Sequence, residues 1–394
     1  MFRRRNAPAA AAERPVIRVN VTARSCPECG GELGEVEEEI VSTTDVAEQP
    51  QPDVQVYAVE VRRCKRCGKP VRGQHPGVAS DQQGATAHRV GLRVKALAHL
   101  LHYSHGVPVR KVPAVIEELT GVQVTQGALT QDAMKQAGGI VGQVYQQLRE
   151  AVGKADVVYT DDTGWRVGGD SAFLMVFTNP AQSVYQIRER HRNEEVREVI
   201  RAGFAGVMVC DRGKSYDAEE LSGVAQQKCL AHLIRNAEAV ATSKAGRAKQ
   251  FSQNLKELLK EALGLAYKRA ELAPADYEER VEQLDAQMKH HLRNRILRDD
   301  DNQRLLNGVG AQHDHGNLLL FLRDPRIEPT NNRAERALRP AVIARKVSHC
   351  SKTERGARTF EAFVSVVETL KKTCSPAGAA FCRLLAGPPA AASP

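Results

Sequence analysis

The spacing of apolar residues changes character several times along the chain. From about residue 88 the period is helical: Val90, Val94, Leu97 and Leu101 share one face, and Val112, Val115, Ile116 and Leu119 share another. A turn at Thr120-Gly121 and the stretch Val122–Thr125 lead into a helix carrying Leu129, Ala133, Ala137, Ile140, Val141, Val144 and Leu148. A short helix, a glycine-containing turn and a helix entered through Thr125 make a helix-turn-helix pattern, whose second helix reads DNA. An ordinary helical bundle has the same pattern. At residue 156 the texture turns β-rich. Asp156–Thr160, Ala172–Thr178 and Ser183–Ile187 read as strands, Asn193–Ala202 as a charged helix, and Gly206–Cys210 as an apolar strand. Strands followed by helix and strand predict an α/β domain. Helical spacing returns from about 232 to 323, with Phe251, Leu255, Leu258, Leu259 and Ala262 on one helix and Tyr277, Val281, Leu284 and Met288 on another. Further helices are expected at 331–346 and 355–372. Ahead of all this, Val54–Val61 alternates as a strand would.

Composition narrows the class. Apolar residues make up 42% and charged residues 26%, a globular balance. No apolar run approaches the roughly 18 residues of a membrane span, and the start lacks a signal-peptide core. The expectation is a cytoplasmic protein with no membrane partner. Lys and Arg number 56 against 47 acids, and the net charge of +9 favours a polyanionic partner. Residues 1–24 hold six arginines (Arg3, Arg4, Arg5, Arg14, Arg18, Arg24) against Glu13, and read as a flexible basic arm.

Four of the nine cysteines are organised. Cys26-Pro27-Glu28-Cys29 and Cys64-Lys65-Arg66-Cys67 stand 34 residues apart, and Gly30 and Gly68 follow where a knuckle turns through positive φ. Four thiolates suit one Zn²⁺ in a closed, structural site, so residues 25–77 read as a zinc ribbon. Arg62, Arg63, Lys65, Arg66, Lys69 and Arg72 give it a face for nucleic acid; a protein-binding ribbon is the alternative. Cys210, Cys229, Cys350, Cys374 and Cys382 read as small core residues.

Carboxylates at strand ends are the second constellation. Val157–Thr160 runs into Asp161-Asp162, and Val207–Cys210 runs into Asp211. Burying such acids is costly unless they meet a cation or a donor, and a pair on neighbouring strands suits Mg²⁺. Much later, Asn331-Asn332-Arg333-Ala334-Glu335-Arg336-Ala337-Leu338-Arg339-Pro340 puts a glutamate one turn into a helix that Asn331 or Asn332 can cap. Arg333, Arg336 and Arg339 flank it. The glutamate is either a surface ion pair or the third ligand of a metal site. Cys229 and His232, three apart, are half of a metal pattern without a second half, and His232 is a candidate support for the site or a phosphate. Trp165 either stacks on a base or packs beside its strand.

Together these motifs resemble the bacterial DDE transposases of the insertion-sequence sixty-six family. Asp161-Asp162-Thr163-Gly164-Trp165, the Asp211 strand, Cys229–His232 and the asparagine-pair motif ending in Arg339-Pro340 carry the likeness, over roughly 25–372. The chain departs from the family where Asp161-Asp162-Thr163-Gly164 replaces the commoner Asp-Glu-Thr-Pro, which leaves Asp162 a rival to Asp161. It also departs where Arg212-Gly213 follows the second aspartate and Tyr216 is displaced. The resemblance implies a multidomain α/β protein with an RNase H-like core split by a helical insertion. On that basis the chain divides into the arm (1–24), the ribbon (25–77), a helical DNA-binding region (88–152), a first core part (153–232), the insertion (233–325), a last core part (326–386) and a tail (387–394). It further implies Asp161, Asp211 and Glu335 as the catalytic triad, holding two Mg²⁺, with Mn²⁺ able to substitute. His232, Asn332, Arg333, Arg336 and Arg339 would support the site or bind DNA. The implied activity is cleavage and joining of double-stranded DNA at element ends and target, as a homodimer or larger in the DNA complex. Accessory proteins could assist, and the protein would lie with the nucleoid when bound. The alternatives are a nuclease without strand transfer and a domesticated, non-catalytic DNA-binding protein.

Overall fold

The structure, a computed structural model, describes residues 19–35, 51–75, 77–79, 81–84, 87–293 and 295–387. The basic arm before residue 19, the acidic stretch at Glu37–Glu39 and the tail beyond 387 lie outside them. The chain forms two units, residues 1–51 and 52–394. In the first, Cys26 and Cys29 sit in a knuckle. Gly30 N–H donates to Cys26 O at 2.8 Å and Cys26 N–H to Gly31 O at 2.9 Å, with Gly30 at φ 73°.

The second unit begins with a like turn. Val61–Arg63 (β1) pairs antiparallel with Pro70–Arg72 (β2) around Cys64 and Cys67, and Gly68 takes φ 70°. The alternation at Val54–Val61 makes no strand before Val61, because those residues have no neighbouring strand among the described residues. Leu92–Tyr103 (α1), Val112–Thr120 (α2) and Gln126–Ala137 (α3) close around Ala98, Val112, Ile116 and Leu129. Gly121, at φ 68°, ends α2, and Thr125 Oγ1 accepts the Ala128 N–H at 3.2 Å to start α3. The single helix expected from Leu129 to Leu148 is two. It breaks at Gly138-Gly139, and Ile140–Val152 (α4) turns Val141, Tyr145 and Leu148 into the core beneath the sheet. Two adjacent glycines weaken a helix by about 1 kcal/mol each.

That sheet has five strands: Val157–Val167 (β3), Asp170–Thr178 (β4), Ser183–Arg188 (β5), Val207–Cys210 (β6) and Ala225–Lys228 (β7), in the order β5-β4-β3-β6-β7. β3, β4 and β5 are antiparallel; β6 and β7 run parallel to β3. β3 is longer than its apolar run predicts because β4 pairs along it from Tyr159 to Val167. Asp161 and Asp162 therefore lie within the strand, just past the point where pairing with β6 stops. β7 escapes a reading by alternation because Ala-Gln-Gln-Lys has none. It is held by polar bonds: Gln227 Nε2 donates to Leu318 O at 2.8 Å, and fully buried Lys228 meets Asp217 at 2.7 Å. The helix expected over Asn193–Ala202 is short (Asn193–Arg197, α5), followed by turns that bury Val199 and Ile200.

Leu230–Thr242 (α6), Arg247–Tyr267 (α7), Pro274–Leu292 (α8), Asp300–Asp314 (α9) and Leu320–Arg323 (α10) follow. Phe251, Leu255, Leu259, Ala262, Tyr277, Val281, Leu284 and Met288 are all buried in one cluster, as their periodicity predicts. The chain then returns to the sheet with Asn332–Ser348 (α11), Glu354–Thr373 (α12) and Ala377–Ala386 (α13). α12 covers the open edge of β5. Glu361, Ser365 and Thr369 accept the backbone N–H groups of Ile187, Tyr185 and Ser183 at 2.6, 2.8 and 3.0 Å. The match is metrical: four residues of helix rise about 6 Å and two of strand about 6.7 Å. An edge so occupied cannot recruit another strand.

Candidate active site

The register of the parallel pair brings the first two acids together. Tyr159 stands opposite Val209, and two residues further along each chain, on the same face, come Asp161 and Asp211. Asp161 is half-buried with acids around it. Burial first, and then the charges of Asp211, Asp162 and Glu335, push its carboxyl up to about 7 against the Asp162 N–H, which donates to its Oδ1 at 2.9 Å. Asp211 Oδ1 accepts the Gly213 N–H at 2.8 Å, folding the following loop back on itself.

The third acid arrives on α11. Glu335 lies in the first turn, and its carboxylate stands 3.8 Å from Arg235 and 3.9 Å from His232, both on α6. What holds this helix start against the strand is Asn331. It is fully buried; its Nδ2 donates to Thr160 O at 2.8 Å, and its backbone N–H donates to Cys229 Sγ at 3.2 Å. The expected side-chain cap is thus absent. Asn331 occupies the cap position but reaches across to the residue before Asp161, while Asn332 is exposed. Cys229, in turn, is a buried thiol whose pKa burial raises, so it acts as a packing and hydrogen-bonding partner rather than as a thiolate ligand. His232 Nδ1 is buried without a hydrogen-bond partner, and the ring's other nitrogen faces Glu335.

The remaining sequence candidates separate. Arg333 is committed to the protein: its guanidinium bonds Glu328 and lies 5.3 Å over the Tyr159 ring. Arg336 and Arg339 are exposed on α11. Arg345, from the same helix, bonds Thr163 Oγ1 at 3.0 Å and Gly164 O, bracing β3 beyond the acids. Trp165 is 3% exposed; it donates to Ser351 Oγ at 3.2 Å and packs on Phe360, which leaves no face for a base. Asp162 points to the other side of β3, 3.1 Å from His191 Nδ1. Neither His191 nor Arg235 gave a sequence signal. Asn331 did, as half of an asparagine pair.

Metal ligands can be weighed by donor chemistry. Three carboxylates across β3, the β6 loop and α11 fit a hard, oxygen-seeking cation, and the raised pKa of Asp161 reflects burial first and then the neighbouring negative charge that such an ion would offset. They are not yet gathered: among the described residues no three His, Cys, Asp or Glu side chains form a ready-made metal site. Each cysteine knuckle is organised locally. Backbone N–H groups of Cys29 and of Cys67 lower the pKa of Cys26 and Cys64, favouring the thiolate that zinc takes. No described helix is long and apolar enough to cross a membrane.

None of the curated proteins compared with the chain matches it. A profile of the transposase IS66 family does, over residues 88–359. That span runs from the helical region to α12 and takes in Asp161, Asp211 and Glu335. Covering well over half of the 394 residues, the match makes this chain a member of the transposase IS66 family.

Proposed function

We propose that this transposase binds the ends of a mobile DNA element, cuts them and joins them to target DNA, with Asp161, Asp211 and Glu335 as its catalytic carboxylates. The observation that carries the reading is the parallel register that puts Asp161 and Asp211 each two residues beyond the Tyr159–Val209 pair, with Asn331 tying the Glu335 helix to the same strand. A sheet of three antiparallel strands extended by two parallel ones, followed by helices, supports an RNase H-like core.

Asp161, Asp211 and Glu335 would hold two Mg²⁺, or Mn²⁺ in their place. When bound, the pair supplies positive charge to the attacking and leaving oxygens of an in-line displacement at phosphorus. Asp161 and Asp211 offer oxygens from a rigid sheet. Glu335 would offer its own from the start of α11, where its carboxylate lies 3.8 Å from Arg235 and 3.9 Å from His232. Arg336 and Arg339, exposed on α11, would take DNA phosphates, while Arg333 braces the helix through Glu328. Hydrolysis forms a bond from water oxygen to phosphorus as the bond to the 3′-oxygen breaks. The freed 3′-hydroxyl then attacks a target phosphodiester, forming a new bond to phosphorus as the bond to the target strand's own 3′-oxygen breaks and that oxygen leaves as a hydroxyl, so no covalent protein–DNA link is required. Two ends joined in one complex imply at least a dimer.

End recognition falls to the helix-turn-helix-like pair α2 and α3, whose exposed Gln126, Gln131 and Lys135 face outward, and to a zinc ribbon built from Cys26, Cys29, Cys64 and Cys67. The test is incubation of the protein with labelled element-end DNA and Mg²⁺. Joined products support the reading, cleaved but unjoined ends reduce it to a nuclease, and binding without cleavage reduces it to a DNA-binding protein.

A further inference from the structure

A second chain of polar groups lies behind the acids, on the opposite face of β3. Asp162 Oδ1 is 3.1 Å from His191 Nδ1, and His191 Nε2 is 3.2 Å from Ser215 Oγ. Since a carboxylate only accepts, Nδ1 carries the proton and donates to Asp162, and Nε2 shares the second hydrogen bond with the Ser215 hydroxyl. The three residues come from three segments: β3, the turn between β5 and α5, and the loop after β6. Tyr216 packs edge-on to the imidazole at 5.4 Å, with its hydroxyl 3.4 Å from Thr160 Oγ1.

The connectivity matches that of a nucleophilic triad, but access rules that chemistry out. Ser215 is 8% exposed and faces the core, so no phosphodiester reaches its oxygen. What the chain can do is mechanical. Asp211 begins the loop that ends at Asp217, where the buried Lys228 ion pair fixes it to β7. Between those points Gly213 bonds Asp211 Oδ1 through its N–H and accepts the Tyr216 N–H, while Gln226 Nε2 from β7 donates to Tyr216 O at 2.8 Å. Ser215 and Tyr216 are where this loop is fastened to β3, the strand that carries Asp161.

We propose that His191 is a positioning residue: by bonding Asp162 on one side and Ser215 on the other, it clamps the Asp211 loop to β3 and sets the spacing of Asp161 and Asp211. This rests on those two aspartates being metal ligands. Groups that orient ligands from behind alter metal affinity or activity by about 10–100-fold when removed.

The test uses the full-length protein and Mg²⁺, read by thermal melting as well as by cleavage. In His191→Ala the Mg²⁺ midpoint of both should rise about 10-fold or more, with end-DNA affinity kept and most of the cleavage rate recovered at saturating Mg²⁺. Asparagine places a donor near Nδ1 and glutamine a polar atom near Nε2. His191→Asn and His191→Gln should therefore each restore part of the midpoint, the first by holding Asp162 and the second by holding Ser215. Should His191→Ala fail to fold, Ser215→Ala carries the test, with a smaller rise in the same direction. The parent's midpoint in His191→Ala, or in Ser215→Ala if only that folds, overturns the clamp. Full cleavage by Asp161→Asn instead overturns the ligand assignment beneath it, so the two failures are distinguishable.

Discussion

Asn331 offers the sharpest test of how the fold assembles its acids. Replacing it with alanine deletes a buried donor to Thr160 O and leaves a small void where the side chain was completely enclosed. A lost hydrogen bond to a buried carbonyl costs about 1–3 kcal/mol, and part of a side-chain cavity adds to that. Denaturant unfolding should thus show Asn331→Ala destabilised by about 2–4 kcal/mol. Because the lost bond joins the start of α11 to the residue before Asp161, cleavage should fall further than stability alone explains, at temperatures where the variant is fully folded. Asn331→Asp is the harsher probe. It keeps the shape, turns the donor into an acceptor facing a carbonyl, and buries a charge beside acids; breaking the balance of a buried charge costs about 3–5 kcal/mol. A melting curve of Asn331→Ala superimposable on the parent's, with full cleavage, would refute the bridge. So would Asn331→Asp being the milder of the two.

Other consequences can be measured with the same protein. Asp161 is raised from 3.8 to about 7 in the fold, so its contribution to stability is full below about pH 4 and lost as the pH rises through 7. At about 1.4 kcal/mol per pKa unit the ceiling is about 4 kcal/mol, and sharing among neighbouring acids brings a single replacement to about 1–3. In chelator at pH 8, Asp161→Asn should melt above the parent and converge with it near pH 4; a lower melting point at pH 8 contradicts the crowded-acid picture. Cys64→Ser should lose stoichiometric zinc and end binding while the core still unfolds cooperatively, and parent-like zinc content in that variant would count against the ribbon. End-DNA affinity should decline steeply between low and physiological salt through counterion release, and a flat response would remove phosphate contacts from the account.

Much of this was legible in the chain. Apolar periodicity found the long helices between residues 247 and 292 because each buries a continuous stripe, as Leu255, Leu259, Leu284 and Met288 do. The strand-end acids stood out because Val157–Thr160 and Val207–Cys210 are apolar runs that stop at a charge. Three things stayed hidden for physical reasons. β7 is held by buried polar bonds rather than by alternation, so Ala225–Lys228 gives no strand pattern. The length of β3 depends on its pairing with β4, which no local pattern in Asp161–Trp165 reports. The roles of Asn331, Arg235 and His191 depend on contacts across 171, 100 and 29 residues of chain, to Thr160, Glu335 and Asp162. Arg333 misled for the opposite reason: its spacing with Arg336 and Arg339 suggests one phosphate-binding row, but Glu328 and the Tyr159 ring claim it.

The central claim is that Asp161, Asp211 and Glu335 act as one set of ligands. It is tested most directly by strand transfer of labelled element ends in Mg²⁺ by Asp161→Asn, Asp211→Asn and Glu335→Gln, beside Asp162→Asn. Each of the first three removes one anionic oxygen at nearly constant shape. The account predicts that all three bind ends at least as well as the parent, since repulsion of phosphate falls, yet neither cleave nor join. Asp162→Asn, on the far face of β3, should lose far less. Strand transfer at the parent's rate by Glu335→Gln, or by Asp161→Asn with its loss in Asp162→Asn, would contradict the assignment.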